Sequence, residues 1–133
     1  MKLTLAAKLL MIFVGISGCF SVLFGAWLAH GGQSLPVVSQ ERLMTALTYQ
    51  FFHTLALCLT IILYKLHSMV ILLIAGGLFA FGIVFFSGSL YIKTIFEVLS
   101  IGKLAPFGGL SFALAWLLVG FAGTKMFDQK LGN

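Results

Sequence analysis

Thr45, Tyr49, His53 and Thr60, with Gln50 close beside them, are the side chains of this sequence best placed to do chemistry together. Four residues turn an α-helix by about 400° and seven by about 700°, so Thr45, Tyr49, His53 and Thr60 share one helical face. An imidazole in that company could relay protons or take part in a ligand site, with His30 as a second group at the end of the preceding helix. It could equally tie helices together by hydrogen bonds. No carboxylate lies inside the apolar runs and no third metal ligand accompanies the histidines. Interhelical bonding is therefore the expectation, with no metal and no cofactor. Ser87 and Ser89, flanking Gly88, could hold a head group or an ion, but serines near helix ends more often bond to backbone. No Ser-His-Asp set or carboxylate pair is present for hydrolysis, so the chain is not expected to be an enzyme.

The surroundings of these residues are apolar. The chain has 133 residues, of which 61% are hydrophobic and 8% charged, and its mean hydropathy is +1.15. That is more apolar surface than one soluble core can hide, and a lipid solvent is the simplest remedy. About 20 apolar residues at ~1.5 Å each cross a hydrocarbon core of ~30 Å, and four stretches are long enough: 9–29, 44–64, 68–86 and 104–123. They do not alternate as membrane strands would. The expected fold is therefore a single all-α domain, an integral membrane bundle of four transmembrane helices joined by short loops. His53 follows Met44 by nine residues, roughly 14 Å along the helix and so near the bilayer midplane. It is expected to face the bundle interior, hydrogen-bonded and uncharged.

The connections carry further expectations. Lys65, Leu66 and His67 leave room only for a tight turn, making the second and third helices antiparallel neighbours. Glu41 suits the positive end of the second helix, and Pro106 the first turn of the fourth. Between the third and fourth spans, Ile92, Ile95, Phe96 and Leu99 recur at helical spacing opposite Lys93, Glu97 and Ser100, which predicts an interfacial amphipathic helix over 90–101, most simply a flat connector. Between the first two spans, His30, Gly31, Gly32, Gln33, Ser34 and Pro36 form a polar turn.

Charge distribution excludes one partner and suggests an orientation. The eight Lys and Arg that leave a formal charge of +5 are scattered at the edges of apolar runs, so nucleic acid is not an expected partner. Lys2, Lys8, Lys65, Lys125 and Lys130 fall on one side of the membrane, Arg42, Lys93 and Lys103 on the other, which predicts both termini inside. Cys19 and Cys58 read as small buried apolar residues. Ile16-Ser17-Gly18-Cys19 resembles a lipobox, but the apolar run continues through Leu28, against cleavage before Cys19. Small residues at intervals of three or four predict packing stripes. They are Gly18, Ser21, Gly25 and Ala29 on the first helix, Gly76 and Ala80 on the third, and Gly109, Ala113 and Gly120 on the fourth.

Several segments in order also look familiar. They are Phe24-Gly25-Ala26 through Ala29-His30-Gly31, Thr45-Ala46, Tyr49-Gln50, His53-Thr54-Leu55-Ala56-Leu57, Phe86-Ser87-Gly88-Ser89-Leu90-Tyr91, Pro106-Phe107-Gly108-Gly109 and Trp116. With these the chain resembles the YgdD-type small inner-membrane proteins, a bacterial domain-of-unknown-function family with a eukaryotic transmembrane relative. It departs from the family pattern at Trp27-Leu28, where a smaller Phe-Gly pair is usual, and at Ala105, where Thr is usual. The resemblance implies a multi-pass protein of the bacterial inner (plasma) membrane with no catalytic residues to carry over. It draws attention to His30, Tyr49, Gln50, His53, Ser87, Gly88 and Ser89.

Three classes of function stay open at this point. The leading expectation is a structural, interaction or accessory membrane protein, in contact with the lipid bilayer and with a membrane-protein partner or further copies of itself. The alternative is a small-molecule or ion carrier or channel using His53, assembled as an oligomer because four helices leave little interior room. A redox or lipid enzyme is least supported.

Overall fold

The computed structural model describes residues 2–131, and side chains for residues 4–128. The side chains of Lys2 and Lys130, which enter the charge argument, lie outside the described ones. Helix α1 spans Lys2–His30, and a short 3-10 turn over Gly31–Ser34 leads to α2, Val37–His67. The third column is composite: α3 (Val70–Gly82), a π-helical segment (Ile83–Gly88) and α4 (Ser89–Ile95). A second 3-10 turn, Leu99–Leu104, precedes α5, Ala105–Leu131. Four helical columns are long and apolar enough to cross a membrane, Thr4–Ser34, Val37–His67, Val70–Ile95 and Leu99–Asp128. Among the described residues there is no strand.

The local chemistry explains where these elements start and stop, and in three places it shifts the expected boundaries. Pro36 (φ −55°) accepts the first backbone bonds of α2 from Ser39 and Gln40. The helix therefore begins a turn before Glu41, which is not in its first turn. At the other end α2 runs on through Lys65 and His67, cations suited to the negative helix end. Ser68 then closes it in the left-handed region (φ 54°), its N–H bonded to the Tyr64 carbonyl at 2.8 Å. The tight turn is thus at Ser68 and Met69, and the third column starts at Val70. Pro106 does occupy the first turn of α5.

The interfacial helix expected over 90–101 does not form as one piece. The third column continues to Ile95, past the end expected for it, and the chain then breaks at Phe96–Val98, where Glu97 is left-handed (φ 57°). The remainder forms the 3-10 turn. Its Gly102 lies against the Lys93 side chain so closely that a Cβ there would meet Lys93 Cδ at 2.6 Å. Phe96 and Leu99 are exposed beside it.

Helices α2 and α3 form the centre, with α1 packed chiefly along α2 and α5 along α3. One apolar core, around Leu57, Ile61, Phe79, Ile83, Phe112 and Ala115, joins α2, α3 and α5, and Leu10 and Phe13 of α1 pack against it. A smaller core of Leu28, Leu43, Ala46 and Tyr91 ties α1 to α2 and α4. The outer surface carries large apolar side chains such as Leu9, Ile16, Leu23, Phe52, Leu59, Val84, Leu110 and Leu117, as hydrocarbon contact requires.

The close approaches fall on only some of the expected packing residues. At Gly76 a Cβ would come within 2.8 Å of Ile61 and 3.3 Å of Leu10 and Leu57, and at Gly25 within 3.3 Å of Leu47. Gly109 makes ordinary contact with Phe86, whereas a Cβ at Gly18 or Gly120 would meet nothing. The tightest helix contact lies elsewhere, between the third column and α5. A Cβ at Gly108 would collide with the Phe86 backbone nitrogen, and one at Gly82 with the Phe112 ring. Small residues matter where a bulky neighbour faces them, and spacing along one helix does not reveal the neighbour. Cys19 is exposed on α1 and Cys58 partly so, and both are free thiols; neither is the buried residue expected.

Candidate functional site

The polar residues of α2 separate into two places. On the side toward α1 and α4, Gln50 sits in a buried network. Its Nε2 donates to Ser17 Oγ at 3.0 Å and to the Ser17 carbonyl at 3.2 Å, while its Oε1 accepts from the Tyr91 hydroxyl at 2.7 Å. Ser17 Oγ also bonds Thr54 Oγ1 at 2.7 Å, and Ser21 Oγ donates to the Ser17 carbonyl at 2.9 Å. Nearby, Ser87 Oγ donates to the Ala46 carbonyl at 2.7 Å. Every member is buried, so α1, α2 and the third column are joined by donors and acceptors that satisfy one another in a low-dielectric interior.

On the side toward α5, His53 and Tyr49 enter an aromatic cluster instead. The His53 ring lies flat on Phe112, with centroids 3.6 Å apart and planes 11° apart. Phe79 at 5.8 Å and Trp116 at 6.3 Å complete its surroundings. Tyr49 lies against Phe86 at 4.5 Å and His53 at 5.7 Å. His53 Nδ1 is 2.7 Å from the Tyr49 carbonyl one turn back in its own helix. A carbonyl only accepts, so Nδ1 carries the proton and Nε2 the lone pair.

The π-helical segment serves both places. It puts consecutive residues to different uses: Phe86 meets Tyr49, and Ser87 reaches back to Ala46. The near-contact of Gly108 with the Phe86 backbone draws α5 in, so that Phe112, one turn on, lies under the imidazole.

The residues singled out from the sequence thus do not make one site. Tyr49 and His53 stay together, but Gln50 faces away from them into the α1–α4 network. Thr45 is exposed and donates to the Glu41 carbonyl, and Thr60 is buried and donates to the Ala56 carbonyl, each inside its own helix. His30 is exposed at the end of α1, with no hydrogen bond to His53 among the described residues. Ser89 donates to the Phe86 carbonyl at 3.0 Å. Ser17, Thr54, Tyr91 and Phe112 are the partners that the constellation on α2 did not reveal. Pairing Gln50 and Thr54, one turn apart on α2, with Ser17 and Ser21, one turn apart on α1, was the available signal. Among the described residues no group of three His, Cys, Asp or Glu could hold a metal ion.

This architecture has relatives. The profile of a family described as "Protein of unknown function (DUF423)" matches residues 24–109, from the end of α1 to the start of α5. The chain belongs to that family. It is 32% identical over 120 residues to the UPF0382 membrane protein YwdK of Bacillus subtilis, covering 89% of this chain and 98% of the relative. A UPF0382 membrane protein of Staphylococcus epidermidis is 36% identical over 122 residues, 89% of this chain and 97% of its own. The UPF0382 inner membrane protein YgdD of Escherichia coli is 31% identical over 116 residues, 86% and 88% of the two chains. No solved structure matches. This DUF423 member is accordingly a multi-pass membrane protein in contact with the bilayer, of a family whose function is unknown. The family profile covers Gln50, Thr54 and Tyr91 of the network and the Tyr49–His53 pair, while Ser17 and Ser21 lie before its first matched residue.

Proposed function

We propose that this chain is a non-enzymatic structural or interaction protein of the bacterial inner membrane, an accessory to a larger membrane assembly, with both termini on the cytoplasmic side. The observation that carries the reading is the Ser17–Gln50–Thr54–Tyr91 network. Buried polar groups in a carrier commonly line a route for the substrate; here they bond to one another and fix the relative positions of three helical columns. The short connections and a surface rich in large apolar side chains support a small body whose contacts are made within the bilayer.

The orientation rests on the basic residues. With four alternating crossings, Lys2, Lys8, Lys65, Lys125 and Lys130 fall on one side and Arg42, Lys93 and Lys103 on the other, and that excess of five over three supports the first side as the cytoplasmic one. The lack of charge at mid-depth supports a body that does not move ions, and no observation favours a carrier over this reading.

Purification from native membranes in a mild detergent tests it. A stable, stoichiometric complex with another membrane protein is expected. A lone bundle recovered without any partner at every detergent strength would contradict the accessory role. A reporter fused to the C-terminus that is active only on the periplasmic face would contradict the orientation.

A further inference from the structure

The α5 side of α2 leaves hydrogen-bonding groups without partners. Because Nδ1 is committed to the Tyr49 carbonyl, His53 presents its Nε2 lone pair, and no donor in the described residues meets it. Nε2 is not among the enclosed atoms without a partner, so the ring's small remaining exposed surface includes it. The Tyr49 hydroxyl and the Trp116 indole N–H likewise have no partner among the described residues, and those side chains are 42% and 51% exposed. All three belong to one aromatic cluster, in which His53 stacks on Phe112 and meets the Trp116 ring at 64°.

Depth makes this unusual. His53 lies beside the midpoint of α2, Val37–His67, so the cluster sits near the bilayer centre, where water is scarce and an unpaired polar group is costly. Lipid head groups lie roughly 15 Å away, half the ~30 Å core, and acyl chains neither donate nor accept. The missing partner must therefore be soluble in hydrocarbon. It must also be flat enough to lie among stacked rings, and must accept from an O–H and an N–H or donate to an imidazole nitrogen.

We propose that Tyr49, His53 and Trp116 form a binding site, open to the bilayer, for the head group of a lipid-soluble quinone. Its carbonyl oxygens accept from Tyr49 O–H and Trp116 N–H. In the quinol form, one of its hydroxyls donates to His53 Nε2. Phe112 holds the imidazole from behind, and the ring faces of Tyr49 and Trp116 offer offset stacking to a planar ligand. The site goes beyond the accessory role proposed above and stands or falls separately, since binding is read on the isolated protein.

The test uses the full chain in lipid nanodiscs, titrated with decylubiquinone. Of the two tryptophans, Trp116 is isolated by Trp27→Phe, and Trp27 by Trp116→Phe as the reference for random collision. Saturable quenching of Trp116, with only linear quenching of Trp27, is expected. In the Trp27→Phe background, His53→Phe keeps a ring on Phe112 but loses Nε2, and Tyr49→Phe loses only the hydroxyl. Tyr49→Phe should weaken the binding of decylubiquinone, and His53→Phe the competing binding of reduced decylubiquinol, whose hydroxyl donates to Nε2, each by about fivefold, the effect of one lost hydrogen bond. Equal, unsaturable quenching of both tryptophans overturns the site, as does unchanged affinity in both variants. Spontaneous disulfides between copies carrying Trp116→Cys with Cys19→Ser and Cys58→Ser, in quinone-free nanodiscs that hold two chains, would overturn it in favour of a second copy as the occupant.

Discussion

The two sides of α2 solve the same problem in opposite ways. Toward α1 and α4, Gln50 spans from Ser17 to Tyr91 and leaves nothing wanting. Toward α5, Tyr49 and His53 lie within one turn of Gln50 and at nearly its depth, yet His53 uses one nitrogen on its own helix and, among the described residues, neither side chain bonds across to another helix. The contrast teaches that polarity at mid-membrane has two uses. Closed on itself, it fixes how helices pack. Left open among aromatic rings, it waits for something the chain does not supply. A single substitution should therefore be felt very differently on the two sides.

The largest effect is expected where both sides depend on one contact. Gly108→Ala pushes a Cβ into the Phe86 backbone, and such overpacking costs about 3 kcal/mol where backbone must move. Unfolding in detergent should show that loss, with the Phe112 ring shifted off His53. Unchanged stability would mean that α5 sits farther from the Phe86 backbone. Next comes Gln50→Leu, which strands the Tyr91 hydroxyl in the interior and takes one donor from Ser17, at about 2 kcal/mol; a variant as stable as the parent would show the network to be unmade in the membrane. Tyr91→Phe removes one bond of that network and should cost about 1 kcal/mol, within the span measured for interhelical hydrogen bonds in lipid.

His53→Phe should be the mildest. The ring survives and the bond lost lies within α2, so a change below about 0.5 kcal/mol is expected. A loss as large as that of Gln50→Leu would erase the contrast between the two sides.

Much of this was legible in the residues themselves. Run length and hydropathy suffice for four crossings, because the bilayer imposes one length on every span. The mid-depth position of His53 follows from counting residues. What could not be read were facts about neighbours. Gln50 and His53 are three residues apart, near enough in helical angle to look like one face, and only the placement of α1 and α5 sends them apart. The amphipathic pattern of 90–101 is real in the sequence, but the continuation of the third column through α4 to Ile95 uses its first half. Gly18 and Gly108 look alike as small residues in a helix, and only Gly108 has a backbone against it. The partners of Gln50 lie 33 and 41 residues away, beyond any local pattern.

The division of α2 is tested most directly by paired double-mutant cycles on unfolding free energy. Gln50→Leu combined with Tyr91→Phe should show a coupling of about 1 kcal/mol, as residues in one network do, whereas Gln50→Leu combined with His53→Phe should be additive within about 0.3 kcal/mol. Equal coupling in the two cycles would mean that Gln50 and His53 belong to one site, contradicting the separation of the two sides of α2.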